Sequence, residues 1–156
     1  MLLWVLGASA MLNSSCATNK VLPTSQYAPA EAVYRSFLPG AQWPESGTNL
    51  VYCLAFGTAG AAMPSDFMAR FPGPMPRVIT GTNGLAFPMP GVTVEHESGR
   101  AVVILQLRSL SIHGDHAKAR VYYITGSSTV SETLQLAQRD GRWRVMQMKR
   151  EWEVAF

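Results

Sequence analysis

Two histidines and an aspartate lie close together in the segment His113-Gly114-Asp115-His116, and imidazole and carboxylate groups are the ligands that zinc prefers. A further group of the same residue types, Glu95-His96-Glu97, precedes this segment. A zinc site needs three or four protein ligands, and a tight hairpin without a second spaced pair does not supply them. Histidines beside a turn are mostly solvated, so we interpret this segment as an exposed hairpin tip and predict no metal site.

Acid–base catalysis needs a carboxylate and a hydrogen-bond donor that face each other in an apolar cavity. The candidate donors are tyrosines, namely Tyr34, Tyr52, Tyr122 and Tyr123. The carboxylates considered lie near helix starts, turns or a glycine, where acidic groups serve capping or solvation: Glu31, Asp66, Glu95, Glu97, Asp115 and Asp140. No carboxylate stands alone in an otherwise apolar strand, so we predict no catalytic residue and expect Glu95, Asp115 and Asp140 to be solvated.

Cys53 is the second of the two cysteines of the chain, and it lies within the apolar segment Val51–Phe56. A nucleophilic thiol needs a nearby histidine or a helix N-terminus, and no local pattern offers either. We therefore interpret Cys53 as a small buried hydrophobic residue.

Aromatic side chains form the most plausible lining for a pocket that binds a small apolar ligand. The candidates are Phe37, Tyr52, Phe67, Tyr123, Trp143 and Trp152. Aromatic residues on helices and alternating strands also build ordinary hydrophobic cores, so core packing is the alternative interpretation.

The first residues of the chain have the layout of an export signal. The uncharged apolar segment 1–12 is too short to span a bilayer, and it leads through Ser14 and Ser15 to Cys16. This pattern resembles the processing site of bacterial lipoproteins, which implies lipid attachment at Cys16. The alternative is ordinary secretory cleavage around Ser15-Cys16-Ala17, which leaves a soluble protein. We predict a signal peptide at 1–15, a polar tether at 16–27 and a single domain at 28–156.

Turn residues and hydrophobic spacing divide that domain into short helices followed by strands. Pro29 at a first turn and apolar residues at three- and four-residue spacing predict a helix over 29–38. Ser65 as N-cap and the stop Pro72-Gly73 predict a second, shorter helix. The stretch 72–91 is rich in proline and glycine, which predicts an irregular connection with a brief extended piece at 77–80.

Strands are predicted over 50–56, 92–97, 101–113, 117–125 and 131–139, followed by a final strand from residue 142. Asp140-Gly141 is a two-residue hairpin signal, since Asp and Gly suit the two positive-φ positions of a type I′ turn. Alternation after this turn places Trp143 and Val145 on one face of the sheet and Arg142 and Arg144 on the other.

Composition limits the classes of partner. The 156 residues carry 15% charged and 47% hydrophobic residues, which indicates one globular domain rather than a disordered chain. The net charge of +3 is modest, and acidic residues are interleaved with the arginines near the end of the chain. We interpret this region as a solvated basic sheet face and predict no nucleic-acid partner. We also predict no cofactor.

The order of these elements resembles the cone-shaped fold of the nuclear transport factor 2-like and ketosteroid isomerase-like proteins. The likeness is carried by Leu134-x-Leu136, the hairpin from Arg139 to Val145 and the late Trp152. Pro64-Ser65-Asp66-Phe67, then Ala117-x-x-x-Val121 and the same hairpin, are similar to small exported bacterial lipoproteins of unassigned function. The resemblance implies an α+β fold, with a curved antiparallel sheet of five to six strands and two short N-terminal helices packed on one face.

This fold hosts enzymes, binding proteins and structural modules, so it does not by itself imply an activity. We expect a non-catalytic binding or interaction module in a bacterial cell envelope, anchored to a membrane through its lipidated N-terminus or secreted to the periplasm. Its partner is then an envelope protein or a small apolar ligand. The alternative is a small-molecule-binding protein or acid–base enzyme that uses the interior of the cone.

Overall fold

The computed structural model describes residues 21–38, 50–73, 76–81, 85–89 and 92–155, and it has an α+β fold. A 3-10 turn at Thr24–Gln26 leads into helix α1, Tyr27–Phe37, and a single-turn helix α2 spans Ser65–Met68. The strands are β1 Val51–Phe56, β2 Ala61–Ala62, β3 Arg77–Thr80, β4 Leu85–Met89, β5 Val92–Glu95, β6 Val102–His113, β7 His116–Ile124, β8 Ser128–Arg139 and β9 Arg142–Ala155.

Within these ranges seven strands form one sheet, in the order β2-β1-β6-β7-β8-β9, and β3 shares the outer edge of β1 with β2. The four strands β6 to β9 follow one another as antiparallel hairpins, as the sequence predicts. Asp140 and Gly141 connect β8 to β9 with φ values of 50° and 73°, which confirms the predicted turn with two positive φ angles.

The sheet is not wholly antiparallel, so this part of the fold prediction is wrong. Strand β1 runs parallel to β6, with Val51 opposite Val102, and parallel to β3, with Val51 opposite Arg77. Parallel neighbours need a crossover connection. The connection from β1 to β3 carries α2, and the connection from β3 to β6 carries a separate two-stranded sheet made of β4 and β5. The region 72–91 thus contains β4 in addition to the predicted extended piece.

Helix α1 packs on one face of the large sheet, which we call the inner face. Its apolar residues Ala30, Val33, Tyr34 and Phe37 are all buried and have the spacing of one helix face. The Tyr34 hydroxyl donates a hydrogen bond of 2.8 Å to the Ala55 carbonyl, which ties the helix to β1. The helix ends at Phe37 because Leu38 is extended, as expected for a residue that precedes proline.

The second predicted helix forms at the expected residues, but its cap and its description as an N-terminal helix are wrong. Helix α2 lies between β2 and β3 rather than at the N-terminus, and its N-cap is Pro64, so Ser65 is the first helical residue. Phe67 of this helix contacts the rings of Tyr27, Tyr34 and Phe71, with centroids 5.1, 5.9 and 5.5 Å away.

The folded part begins earlier than the predicted domain start at residue 28. Leu22 is only 2% exposed and Tyr27 only 7% exposed, and both belong to the main core. Two residues of the predicted tether, Leu22 and Tyr27, therefore belong to the core. The predicted signal peptide 1–15, Cys16 and the loop at 39–49 lie outside the described residues.

A smaller hydrophobic cluster lies on the opposite face, which we call the outer face. It consists of Val51, Cys53, Val102 and Ile104, against which Leu85 of β4 packs. Both faces of β1 are therefore covered, which explains why all six of its residues are buried. Burial raises the pKa of the Cys53 thiol to about 12, so this thiol stays protonated, as expected for a buried hydrophobic residue.

Candidate functional site

A cavity of about 180 Å³ opens on the inner face between the end of α1 and the strands β7, β8 and β9. Its lining residues are Phe37, Tyr123, Ser128, Val130, Glu132, Met148, Arg150 and Glu153. An apolar cavity of about 150 Å³ is large enough to hold benzene. The cavity therefore has room for one substituted ring or a branched molecule of similar size.

Strand alternation brings the β8 residues into this cavity. Successive side chains of a strand point to opposite faces, so Ser128, Val130 and Glu132 lie on the same face as the core residues Leu134 and Leu136. In the register of β8 with its neighbours, Val130 lies opposite Tyr123 of β7, and Glu132 lies opposite Arg150 of β9.

Glu132 is a carboxylate in a largely apolar surrounding. Its side chain is 11% exposed, and its Oε2 atom is buried without a hydrogen-bond partner among the described residues. Desolvation raises the pKa of this carboxyl group, and the nearby Arg150 guanidinium opposes that shift only in part. A buried acceptor without a donor costs about 1–3 kcal/mol, so this atom is a ready site for a donor from a bound molecule.

The Arg150 guanidinium lies near two carboxylates, those of Glu132 and Glu153. Its Nη1 atom lies 2.9 Å from Glu153 Oε2, whereas its Nε atom lies 3.7 Å from Glu132 Oε1, which is too long for a hydrogen bond. Glu153 is 45% exposed and Arg150 is 52% exposed, so both are screened by solvent at the mouth of the cavity. Arg150 therefore leaves the buried carboxylate incompletely neutralised.

Two aromatic residues cover the other side of the cavity. The rings of Phe37 and Tyr123 are stacked, with their centroids 6.3 Å apart. Desolvation raises the pKa of the Tyr123 hydroxyl, and the nearby Tyr52 and Glu132 raise it further, so this hydroxyl stays protonated and can donate a hydrogen bond. The cavity thus combines an acceptor, a donor and apolar walls.

The six residues predicted to line a pocket lie in different places. Phe37 and Tyr123 line the cavity, and Tyr52 is 3% exposed in the core close enough to influence the Tyr123 hydroxyl. Phe67 lies in the aromatic core and not in the lining. Trp143 lies in an open groove of about 430 Å³ between α1 and β9, as does Arg35. Trp152 is 42% exposed on the outer face, where its ring contacts Tyr122.

Glu132 is not among the candidate residues predicted from the sequence, and the prediction that no carboxylate stands alone in an otherwise apolar strand is wrong. The sequence pattern of β8 contains the information needed to find Glu132. Every second position of this strand points to the same face, and these positions are Val130, Glu132, Leu134 and Leu136. The prediction began this strand at residue 131, three residues after its true start at Ser128, and so left Val130 out of that series. Met148 and Arg150 follow a β-bulge, which shifts the alternation of β9 after Val145.

The residues predicted to be solvated are exposed, with the exception of Glu95. Asp115 and His116 are 71% and 69% exposed and contact each other at 2.6 Å, and His113 and Asp140 are also exposed, as predicted. Glu95 is not solvated, because it is 4% exposed and its carboxylate accepts hydrogen bonds from Arg77 at 2.7 and 3.0 Å. Hydrogen bonds from Arg77 and Ser98 lower the pKa of Glu95. This carboxylate joins β3 to β5 and lies away from the cavity.

In the part of the chain that the structure describes, no three side chains of His, Cys, Asp or Glu converge as metal ligands would. The same part contains no helix of the length and apolar character that crossing a bilayer requires. Comparison with known proteins finds no match to the chain among family models, curated proteins or solved structures.

Proposed function

We propose that the inner-face cavity binds a small, mainly apolar molecule that carries a hydrogen-bond donor. The observation that carries this proposal is the buried Oε2 atom of Glu132, which lacks a donor among the described residues at the wall of a cavity of about 180 Å³. A hydroxyl, amine or amide N–H of the ligand supplies that donor. Phe37, Tyr123 and Met148 supply the apolar contact.

The size of the cavity restricts the ligand class. A single ring with one polar substituent fits in this space. Glu132 accepts a hydrogen bond from the polar substituent, and the stacked Phe37 and Tyr123 rings contact the ring of the ligand. Arg150 and Glu153 form the polar mouth of the site.

The test compares phenol with toluene, two rings of nearly equal size of which only phenol carries a donor. In ligand-observed saturation-transfer NMR and titration, we expect the protein to bind phenol about tenfold more tightly, since one net hydrogen bond is worth about 1–1.5 kcal/mol. Glu132→Leu replaces the carboxylate with a slightly smaller apolar side chain and removes the acceptor, so the preference for phenol should disappear. Asp140→Asn, which removes an exposed carboxylate at the β8–β9 turn outside the cavity, is the control and should keep it.

Failure to bind either ring would reject the cavity as a ligand site. Binding with an unchanged preference in Glu132→Leu would show that Glu132 does not recognise the donor.

A second candidate function is acid–base catalysis at the same carboxylate. The observation that favours it is the pair formed by Glu132, whose pKa is raised by desolvation, and Tyr123, whose hydroxyl stays protonated. Abstraction of a proton next to a carbonyl needs such a base and such a donor. Exchange of α-protons for deuterium in small ketones, followed by NMR, measures this activity, and Glu132→Gln should abolish it.

The sequence is the basis for two further parts of the proposal, the cellular location of the protein and the cone-like curvature of its sheet. We propose that the protein is exported, anchored through a lipid on Cys16, and that the sheet curves around the cavity as in the cone-shaped folds it resembles. Bulges in the β6–β7 and β8–β9 pairs support curvature, since a bulge bends a strand and increases its twist. An envelope location would expose the cavity to small molecules that enter from outside.

A further inference from the structure

The outer face of strands β6 to β9 carries a concentration of positive charge. The alternation that directs Ala117, Ala119 and Val121 into the core directs the intervening β7 side chains to the outer face. Their neighbours on the same face come from β6 and β9. We call this surface the basic face, and it consists of Arg108, Lys118, Arg120, Arg142, Arg144 and Lys149.

The register places these cations close together rather than scattered. Arg120 and Lys149 are separated by a single residue of β8, Thr133, and both lie in one row across the sheet. The next row contains Lys118, Gln135 and Gln147. The β8 residues of these two rows, Thr133 and Gln135, are uncharged, so no carboxylate lies within the rows to neutralise the cations.

Few carboxylates in the described part of the chain compensate this charge. Lys149 has one partner, Glu151, with its Nζ atom 3.7 Å from the carboxylate. Glu31 pairs with Arg35 and Arg70 on the helix side of the molecule. The basic face is therefore positive as a whole, although the net charge of the chain is only +3.

Exposed aromatic and apolar side chains border the basic face. Tyr122 lies against the Trp152 ring at 5.3 Å, and the Arg108 guanidinium lies 4.6 Å from the centroid of the Tyr122 ring. Trp152 is 42% exposed, and Val154, which follows it on the same side of β9, is 46% exposed. Tryptophan and tyrosine next to cations are the residues that settle at a membrane–water interface.

We propose that the basic face docks on the surface of an anionic phospholipid bilayer. The cations contact the lipid phosphates, and Trp152 and Val154 enter the headgroup region. Arg108 and Trp152 already contact the Tyr122 ring, which leaves this ring poorly placed to stack on a nucleic-acid base. This docking is independent of the ligand cavity, which opens on the inner face.

The experiment is a vesicle co-sedimentation assay with the full chain carrying Cys16→Ala, so that no acyl chain contributes. Vesicles of phosphatidylcholine mixed with phosphatidylglycerol are compared with vesicles of phosphatidylcholine alone. The test variant Lys118→Glu/Arg144→Glu reverses two charges of the basic face. The control variant Arg70→Glu/Arg100→Glu makes the same change of net charge outside the basic face and leaves Arg35 paired with Glu31. Circular dichroism confirms that each variant is folded.

We expect binding to anionic vesicles that falls with added salt, with a partition coefficient reduced at least about thirtyfold in the test variant and far less in the control. The segment 1–12 is common to all variants, so any binding that it causes does not distinguish them. Equal losses in both variants would overturn the proposal. The proposal would also be overturned if the protein bound a duplex DNA or an RNA oligonucleotide but not anionic vesicles, and if the test variant lost that nucleic-acid binding.

Discussion

Glu132 and Arg150 lie opposite each other on β8 and β9, yet their closest nitrogen and oxygen atoms are 3.7 Å apart. The arginine instead forms its shorter contact, 2.9 Å, with the exposed Glu153. The buried carboxylate is therefore left with an incompletely compensated charge. Sites that bind or transform small molecules commonly contain such groups, and they reduce the stability of the empty protein.

Glu132→Gln should raise the free energy of unfolding by about 1 kcal/mol at neutral pH, because it removes a poorly paired buried charge. Desolvation raises the folded-state pKa of Glu132 above 4.5, so the folded protein holds this proton more tightly than the unfolded chain. The native protein should lose stability as pH rises from about 4.5 through the folded-state pKa, and the variant should lack this loss.

Urea unfolding of both proteins at neutral pH and at pH below about 4 measures this difference. At the lower pH the two stabilities should converge. A variant that is less stable at neutral pH would mean that Arg150 compensates the charge after all.

Glu95→Gln should destabilise the protein at neutral pH, because it weakens the charged hydrogen bond with which Arg77 of β3 holds β5 and the local one from Ser98. These contacts lower the folded-state pKa of Glu95, so the stability they provide is present above the unfolded pKa and is lost as pH falls through the folded one. The midpoint of thermal unfolding should therefore differ most at neutral pH. A constant difference at every pH would point to a packing effect instead.

Trp143→Ala should cost about 2 kcal/mol, which is below the 3–5 kcal/mol typical of a fully buried large aromatic residue. Trp143 packs against the main core but also lines the open groove beside α1, so part of its surface stays in water. Arg144→Ala, next to it on the outer face, is the control and should change the unfolding free energy by less than about 0.5 kcal/mol. Equal effects would mean that the two faces of β9 are exchanged.

Cys16→Ala should abolish lipid attachment and cleavage before residue 16 if the segment Ser14-Ser15-Cys16 is a lipoprotein processing site. The native chain, produced in a bacterium, should lose residues 1–15 and gain the mass of the attached lipid. Intact-mass spectrometry of the native and substituted proteins measures both changes. Two soluble proteins that differ only by the mass of one sulfur atom would contradict the prediction.

Local patterns predicted most of the elements that build the molecule. Turn chemistry at Asp140-Gly141 and alternation after it placed Trp143 and Arg144 on the correct faces, because hairpin register depends on neighbouring residues. The pairing of β1 with β3 and β6 could not be predicted in this way, because it depends on contacts between distant segments. The same limit applies to the cavity, since Glu132 acquires its unusual environment only when Phe37 and Tyr123 cover it.

The parallel pairing of Val51 with Val102 joins residues about fifty positions apart, and this separation has a consequence for the order of folding. The hairpins from β6 to β9 close short loops. Pairing of β1 with β6 closes a much longer loop, which costs more conformational entropy. We expect the amides of β6 to β9 to gain protection from hydrogen exchange first in a refolding experiment and those of β1 to follow. Helix α1 would then pack over strands β7 to β9 late in the folding reaction, and the cavity between them would form at that stage.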